Sequence, residues 1–151
     1  MHEEPAANGR AFVIGAPGVE DLLVVGGSGE GEVVGAGLAS DAQWGWVRTP
    51  RRAEVPAEFV MLHGRGLSWR GRPLVQADGP VRYIAARRQG RELHVEVDAA
   101  GRCEVDLLGA DRIVVGGGSV ATATIVAARP DGASVRRGAP PNGAAARVEV
   151  S

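Results

Sequence analysis

Glu92-Leu93-His94-Val95-Glu96-Val97-Asp98, followed after Ala99-Ala100-Gly101-Arg102 by Cys103-Glu104-Val105-Asp106-Leu107, decides the fold class. Leu93, Val95 and Val97 fall on one side of an extended chain and His94, Glu96 and Asp98 on the other, a period of two that only a strand maintains. Past the turn, Cys103, Val105 and Leu107 carry the apolar side on while Glu104 and Asp106 oppose it. The stretch therefore reads as a hairpin with one face on a core and the other toward solvent or a neighbour.

Outward from this pair the same texture covers the chain. Further strands are expected at 11–14, 21–25, 32–36, 42–48, 58–62, 67–70, 73–76, 81–87, 112–115, 120–127 and 145–150. The first half of the hairpin occupies 92–98 and the second 102–107. Turn formers separate them: Gly26-Gly27-Ser28-Gly29, Arg70-Gly71-Arg72-Pro73, Asp78-Gly79-Pro80, Gln89-Gly90, Ala100-Gly101 and Asp131-Gly132. Gly and Pro interrupt every stretch before three helical turns could form, so crossover helices and a parallel sheet are excluded. The expectation is an all-β fold, an antiparallel β-sandwich of about a dozen short strands. It forms one domain over 11–151, after a disordered or extended segment at 1–10. A Pro-rich surface loop is expected at 129–144.

Length and composition agree. A chain of 151 residues with 44% hydrophobic and 23% charged residues can bury one core without disulfides. The net charge of -1 offers no field to hold nucleic acid or an acidic membrane surface, and no apolar run is long enough for a membrane helix. All 17 basic residues are Arg, which reflects coding composition more than function. The lone Cys103 cannot form an internal disulfide and falls on an apolar face as a buried thiol. The stretch 1–10 is polar and lacks a signal-peptide run, so an export signal, if used, lies on another segment.

Catalytic chemistry finds little support. Gly26 to Gly31 and Gly116-Gly117-Gly118-Ser119 lack the Gly-Lys-Ser/Thr ending and the following helix of a phosphate cradle, and read as turns. His94, Glu96 and Asp98, with Glu104 and Asp106 across the expected hairpin, offer carboxylates to a divalent cation. They lack the loop carbonyls that Ca²⁺ takes and the His or Cys that Zn²⁺ takes, so a solvated sheet face is the reading, with no metal and no cofactor. Ser28, Ser40, Ser68, Ser119 and Ser134 have no nucleophile elbow, and Cys103 and His94 project to opposite faces. No catalytic residue is assigned.

Binding chemistry is better represented. Trp44 and Trp46 flank Gly45, so both rings leave the strand on one side, as a platform on which sugar rings stack. Trp69 with Arg70 and Arg72 adds an aromatic ring and guanidinium forks at a hairpin tip. The opposing reading is that a chain with 4% aromatic residues buries its few tryptophans. Three Arg clusters, at Arg48, Arg51 and Arg52, at Arg65, Arg70 and Arg72, and at Arg87, Arg88 and Arg91, would hold carboxylate or sulfate if two of them converged.

The strand Asp21-Leu22-Leu23-Val24-Val25, then Ser40-Asp41-Ala42-Gln43-Trp44, then Met61-Leu62-His63-Gly64-Arg65-Gly66-Leu67-Ser68-Trp69-Arg70-Gly71-Arg72-Pro73-Leu74 resembles, in order and spacing, the C-terminal β-sandwich region of heparinase II/III-type polysaccharide lyases. The resemblance covers somewhat over half the chain and contains no catalytic signature. It implies a non-catalytic accessory domain that buttresses a catalytic domain of the same protein, or holds acidic polysaccharide, in the periplasm or outside the cell. No role is carried onto Tyr83, the single tyrosine. The competing readings are a free-standing carbohydrate-binding module and an assembly domain that pairs through its sheet edges.

Overall fold

The computed structural model describes residues 2–16, 20–27, 31–50, 56–109, 111–116, 118, 120–126, 134–137 and 148–150. They form β1 (His2–Glu4), β2 (Ala6–Ala7), β3 (Gly9–Ala16), β4 (Glu20–Gly27), β5 (Val33–Gly35), β6 (Leu38–Ser40), β7 (Trp44–Pro50), β8 (Glu58–Trp69), β9 (Arg72–Gln89), β10 (Glu92–Ala99), β11 (Cys103–Leu107), β12 (Asp111–Val115), β13 (Ala121–Val126), β14 (Ser134–Arg137) and β15 (Val148–Val150). All pairings are antiparallel, as the hairpin-rich sequence requires. No described helix is long and apolar enough to cross a membrane.

The organising element is the hairpin of β8 and β9, of 12 and 18 residues. Its turn, Arg70-Gly71, holds both residues at positive φ (50° and 76°), the requirement of a type I′ turn whose twist matches the strands. Each long strand serves two arms. The first arm runs β1-β3-β4-β7, then the start of β8, the end of β9, β10, β13 and β14. The second runs β2-β5-β6, the end of β8, the start of β9, β11, β12 and β15. The pairing is symmetric about the hairpin: β7 corresponds to β10, β6 to β11, β4 to β13, β5 to β12, β3 to β14 and β2 to β15.

The sequence marks where the long strands bend but gives the wrong reading of the marks. Residues 58–62 and 67–70, expected as two strands, belong to one, as do 73–76 and 81–87. Asp78-Gly79-Pro80 lies inside β9 and is no turn. In β8, His63 adopts φ 55° and the register to β9 slips between Gly64 and Gly66, a bulge that lets a strand pass from one arm to the other. Side chains satisfy the backbone donors there. The Asp41 carboxylate accepts from the N–H groups of Arg65 (2.9 Å) and Gly66 (3.0 Å), and Asp78 Oδ1 accepts from Glu104 N–H (2.9 Å). A Cβ on Gly64 would stand 2.5–2.9 Å from Ala42, so glycine is what allows the two segments to touch.

The stretch 92–107 also differs from its expectation. Its alternation holds, since Leu93, Val95, Val97, Cys103, Val105 and Leu107 are all buried. Yet β10 and β11 do not pair. Each pairs with a different half of β9, and the turn after Ala99 carries the chain from one arm to the other. Both apolar sides still point inward, because the inner faces of the two arms meet in one core that holds Val47, Phe59, Met61 and Ile84 from the first and Leu38, Leu67, Val75 and Ile113 from the second.

Three short stretches complete the account. Within 2–10, β1, β2 and the start of β3 are already paired, with Pro5 and Asn8 (φ 62°) between them. Within 129–144, Ser134–Arg137 forms β14 on β13, and the rest lies outside the described residues. So do parts of both Gly-rich stretches, at 28–30, 117 and 119.

Candidate functional site

On β7, burial alternates strictly: Gly45, Val47 and Thr49 face the core, while Trp44, Trp46 and Arg48 face out. Trp44 is 51% exposed and Trp46 40%, on the outer face of the first arm. Gly45 does not open a gap between the rings. Its hydrogen points inward, where a Cβ would come 3.2 Å from Leu67 across the core.

The glycine that shapes the platform is Gly26, the partner of Trp44 on β4. A Cβ there would lie 2.5–2.9 Å from three atoms of the Trp44 ring, so the indole packs against bare backbone that only glycine leaves open. Val24, Val60 and Leu62 complete an apolar cleft of about 280 Å³ with the two tryptophans.

Strand pairing extends this face sideways. Val24, Trp46, Val60, Ala85, Glu96 and Thr122 are successive partners across β4, β7, β8, β9, β10 and β13. The adjacent row is Leu22, Arg48, Glu58, Arg87, His94 and Thr124. The face thus turns from apolar to polar between β8 and β10. His94 Nδ1 lies 3.4 Å from Thr124 Oγ1, and its Nε2 lies 3.1 Å from the Glu92 carboxylate. The backbone here is engaged in sheet pairing, β10 with β9 and β13 and residues 123–126 of β13 also with β14. Burial raises the Tyr83 hydroxyl above the usual phenol range, and the carboxylates of Glu96 and Glu58 add to the shift, so it remains a donor.

The other sequence candidates lie elsewhere. Trp69 is 2% exposed, in the core, and its Nε1 finds no partner among the described residues. The Arg70 guanidinium sits 4.7 Å from its ring centroid, and Arg72 is exposed at the start of β9. This tip belongs to the second arm, so Trp69, Arg70 and Arg72 do not join the Trp44–Trp46 face. Of the Arg clusters, one member each of the first and the third, Arg48 and Arg87, reaches this face, on either side of Glu58, while Arg51 and Arg52 lie outside the described residues.

Glu104 and Asp106 are on β11 in the second arm, where Arg112 lies 2.7 Å from Asp106, so they stand apart from His94, Glu96 and Asp98. Among the described residues, no three His, Cys, Asp or Glu side chains gather as for a metal. Cys103 is buried with its sulfur 3.6 Å from the Gly79 carbonyl, and burial pushes its thiol up.

Sequence reasoning missed Gly26 and Ala85. The only available signal was the outward-facing parity of their strands, which carries no register. No family model matches the chain, and no curated protein matches it.

Proposed function

We propose that this chain is a non-catalytic domain that holds carbohydrate on the outer face of its first arm, serving as the accessory part of a longer carbohydrate-active protein. The observation that carries the reading is the exposure of Trp44 (51%) and Trp46 (40%) side by side, with the Trp44 ring in contact with Gly26. A ring fixed against backbone loses little freedom when a sugar stacks on it, which favours binding. The accessory role rests on the resemblance to the lyase β-region, whose matching residues carry no catalytic signature.

The test is fluorescence titration of the chain with an oligosaccharide panel, beside Trp44→Ala and Trp46→Ala. Saturable binding lost in both variants supports the proposal. Cleavage of a polysaccharide by the chain alone, or binding indifferent to both substitutions, overturns it.

A second reading draws on the apolar ground around the platform, where Phe12, Leu22 and Val24 are half-buried and Ile14 is 38% exposed. On this reading the face docks against a catalytic domain, and no sugar would bind. An assembly role through sheet edges would instead give concentration-dependent association in sedimentation experiments.

A further inference from the structure

The row of outward residues that begins with Val24 and Trp46 has a low point. Ala85, between Val60 and Glu96, is the smallest side chain in it, and over it lies an open trench of about 500 Å³. Its walls include Glu58, Arg87, His94, Glu96, Thr122 and Thr124. Strands lie ~4.8 Å apart, so the floor at Ala85 is roughly 10 Å from the backbone under Trp46, within the reach of one oligosaccharide lying across the strands.

The chemistry of the walls differs from that of the platform. Carboxylates accept hydrogen bonds from hydroxyls, threonines both donate and accept, and Arg87 donates in a fork, a set suited to the rim of a polyhydroxylated ring. The charge balance is acidic. Among the lining side chains Glu58 and Glu96 face one Arg87, the cross-strand partner of Glu58; outside the lining, Glu92 lies beside His94 and Arg48 is the other cross-strand partner of Glu58. A uronate placed in the trench would set its carboxylate against these carboxylates, and like charges brought together count against the wrong ligand.

We propose that the Ala85 trench is a second subsite continuing from the Trp44–Trp46 platform, and that it selects uncharged glycan chains over uronate-containing ones. This rests on the reading of the face as glycan-binding and departs from the acidic polysaccharide that the arginine clusters and the family resemblance suggested, because the trench itself is walled by two carboxylates and one guanidinium, with Arg48 on the far side of Glu58.

The experiment is calorimetry of the whole chain at low ionic strength with two ligand series of matched length, neutral β-linked gluco-oligosaccharides and oligogalacturonates. The proteins are the wild type, Trp44→Ala, Ala85→Leu and Glu96→Gln. The leucine fills the trench from an outward position, and unchanged acrylamide quenching of the tryptophans reports an intact platform. Neutral chains are expected to bind about tenfold or more tighter than uronates, Ala85→Leu to weaken the neutral chains about tenfold, and Glu96→Gln to narrow the difference between the series.

Uronates bound as tightly as neutral chains, or Ala85→Leu binding like the wild type with an intact platform, overturns the subsite while Trp44-dependent binding keeps the platform. Binding absent in both series, or insensitive to Trp44→Ala, removes the glycan face and the subsite with it.

Discussion

Trp44 and Trp69 both sit where burial alternates residue by residue along a strand, and they end in opposite surroundings. Trp69 is 2% exposed in the common core, and Trp44 is 51% exposed on the outer face of the first arm. Residue type and local pattern are alike, so what separates them is parity: whether the position falls on the inner or outer side of its arm. An inward tryptophan is a packing element, and an outward one that lies over a glycine is available to a ligand.

The largest break in that comparison is Trp69→Ala. Emptying a fully buried aromatic site should cost about 3–5 kcal/mol in urea unfolding, whereas Trp44→Ala should stay within about 1 kcal/mol. Comparable losses would mean that Trp44 is structural. Trp69→Phe sharpens the contrast, because it removes the Nε1 donor that has no partner among the described residues along with only part of the volume, and should cost well under half of the alanine change.

A smaller effect is expected at Gly26. In Gly26→Val the new side chain meets the Trp44 ring and must lift it, so the quenching of Trp44 by acrylamide should rise with a modest loss of stability. Quenching that stays the same would show that the indole does not depend on the bare backbone.

The smallest effect is electrostatic and belongs to the bend of β9. Asp78 is held below the usual carboxylate range, first by the Glu104 N–H and then by Cys103. Its folded value is depressed, so its contribution is present above the unfolded value of ~3.9 and is lost as pH falls through the folded value. Asp78→Asn should therefore lose less melting temperature than the wild type on acidification through that window. Parallel melting curves down to low pH would remove Asp78 from the account of the bend.

Period-two alternation at 92–98 and 102–107, and turn formers such as Arg70-Gly71, are local properties. They determined by themselves that the chain is all-β and antiparallel, and which side chains of each strand share a face. The inward set Leu93, Val95, Val97, Cys103, Val105 and Leu107 was legible for that reason. Tertiary structure alone decided which strands are partners, since register depends on chain segments far apart in sequence. Asp78-Gly79-Pro80 reads locally as a turn, yet the Asp78 carboxylate takes over a bond to a distant strand and the chain runs on. The same long-range pairing separated β10 from β11, set Gly26 beneath Trp44, and put Ala85 between Val60 and Glu96. A sequence fixes which way a side chain points along its own strand; only the packed sheet fixes what stands beside it.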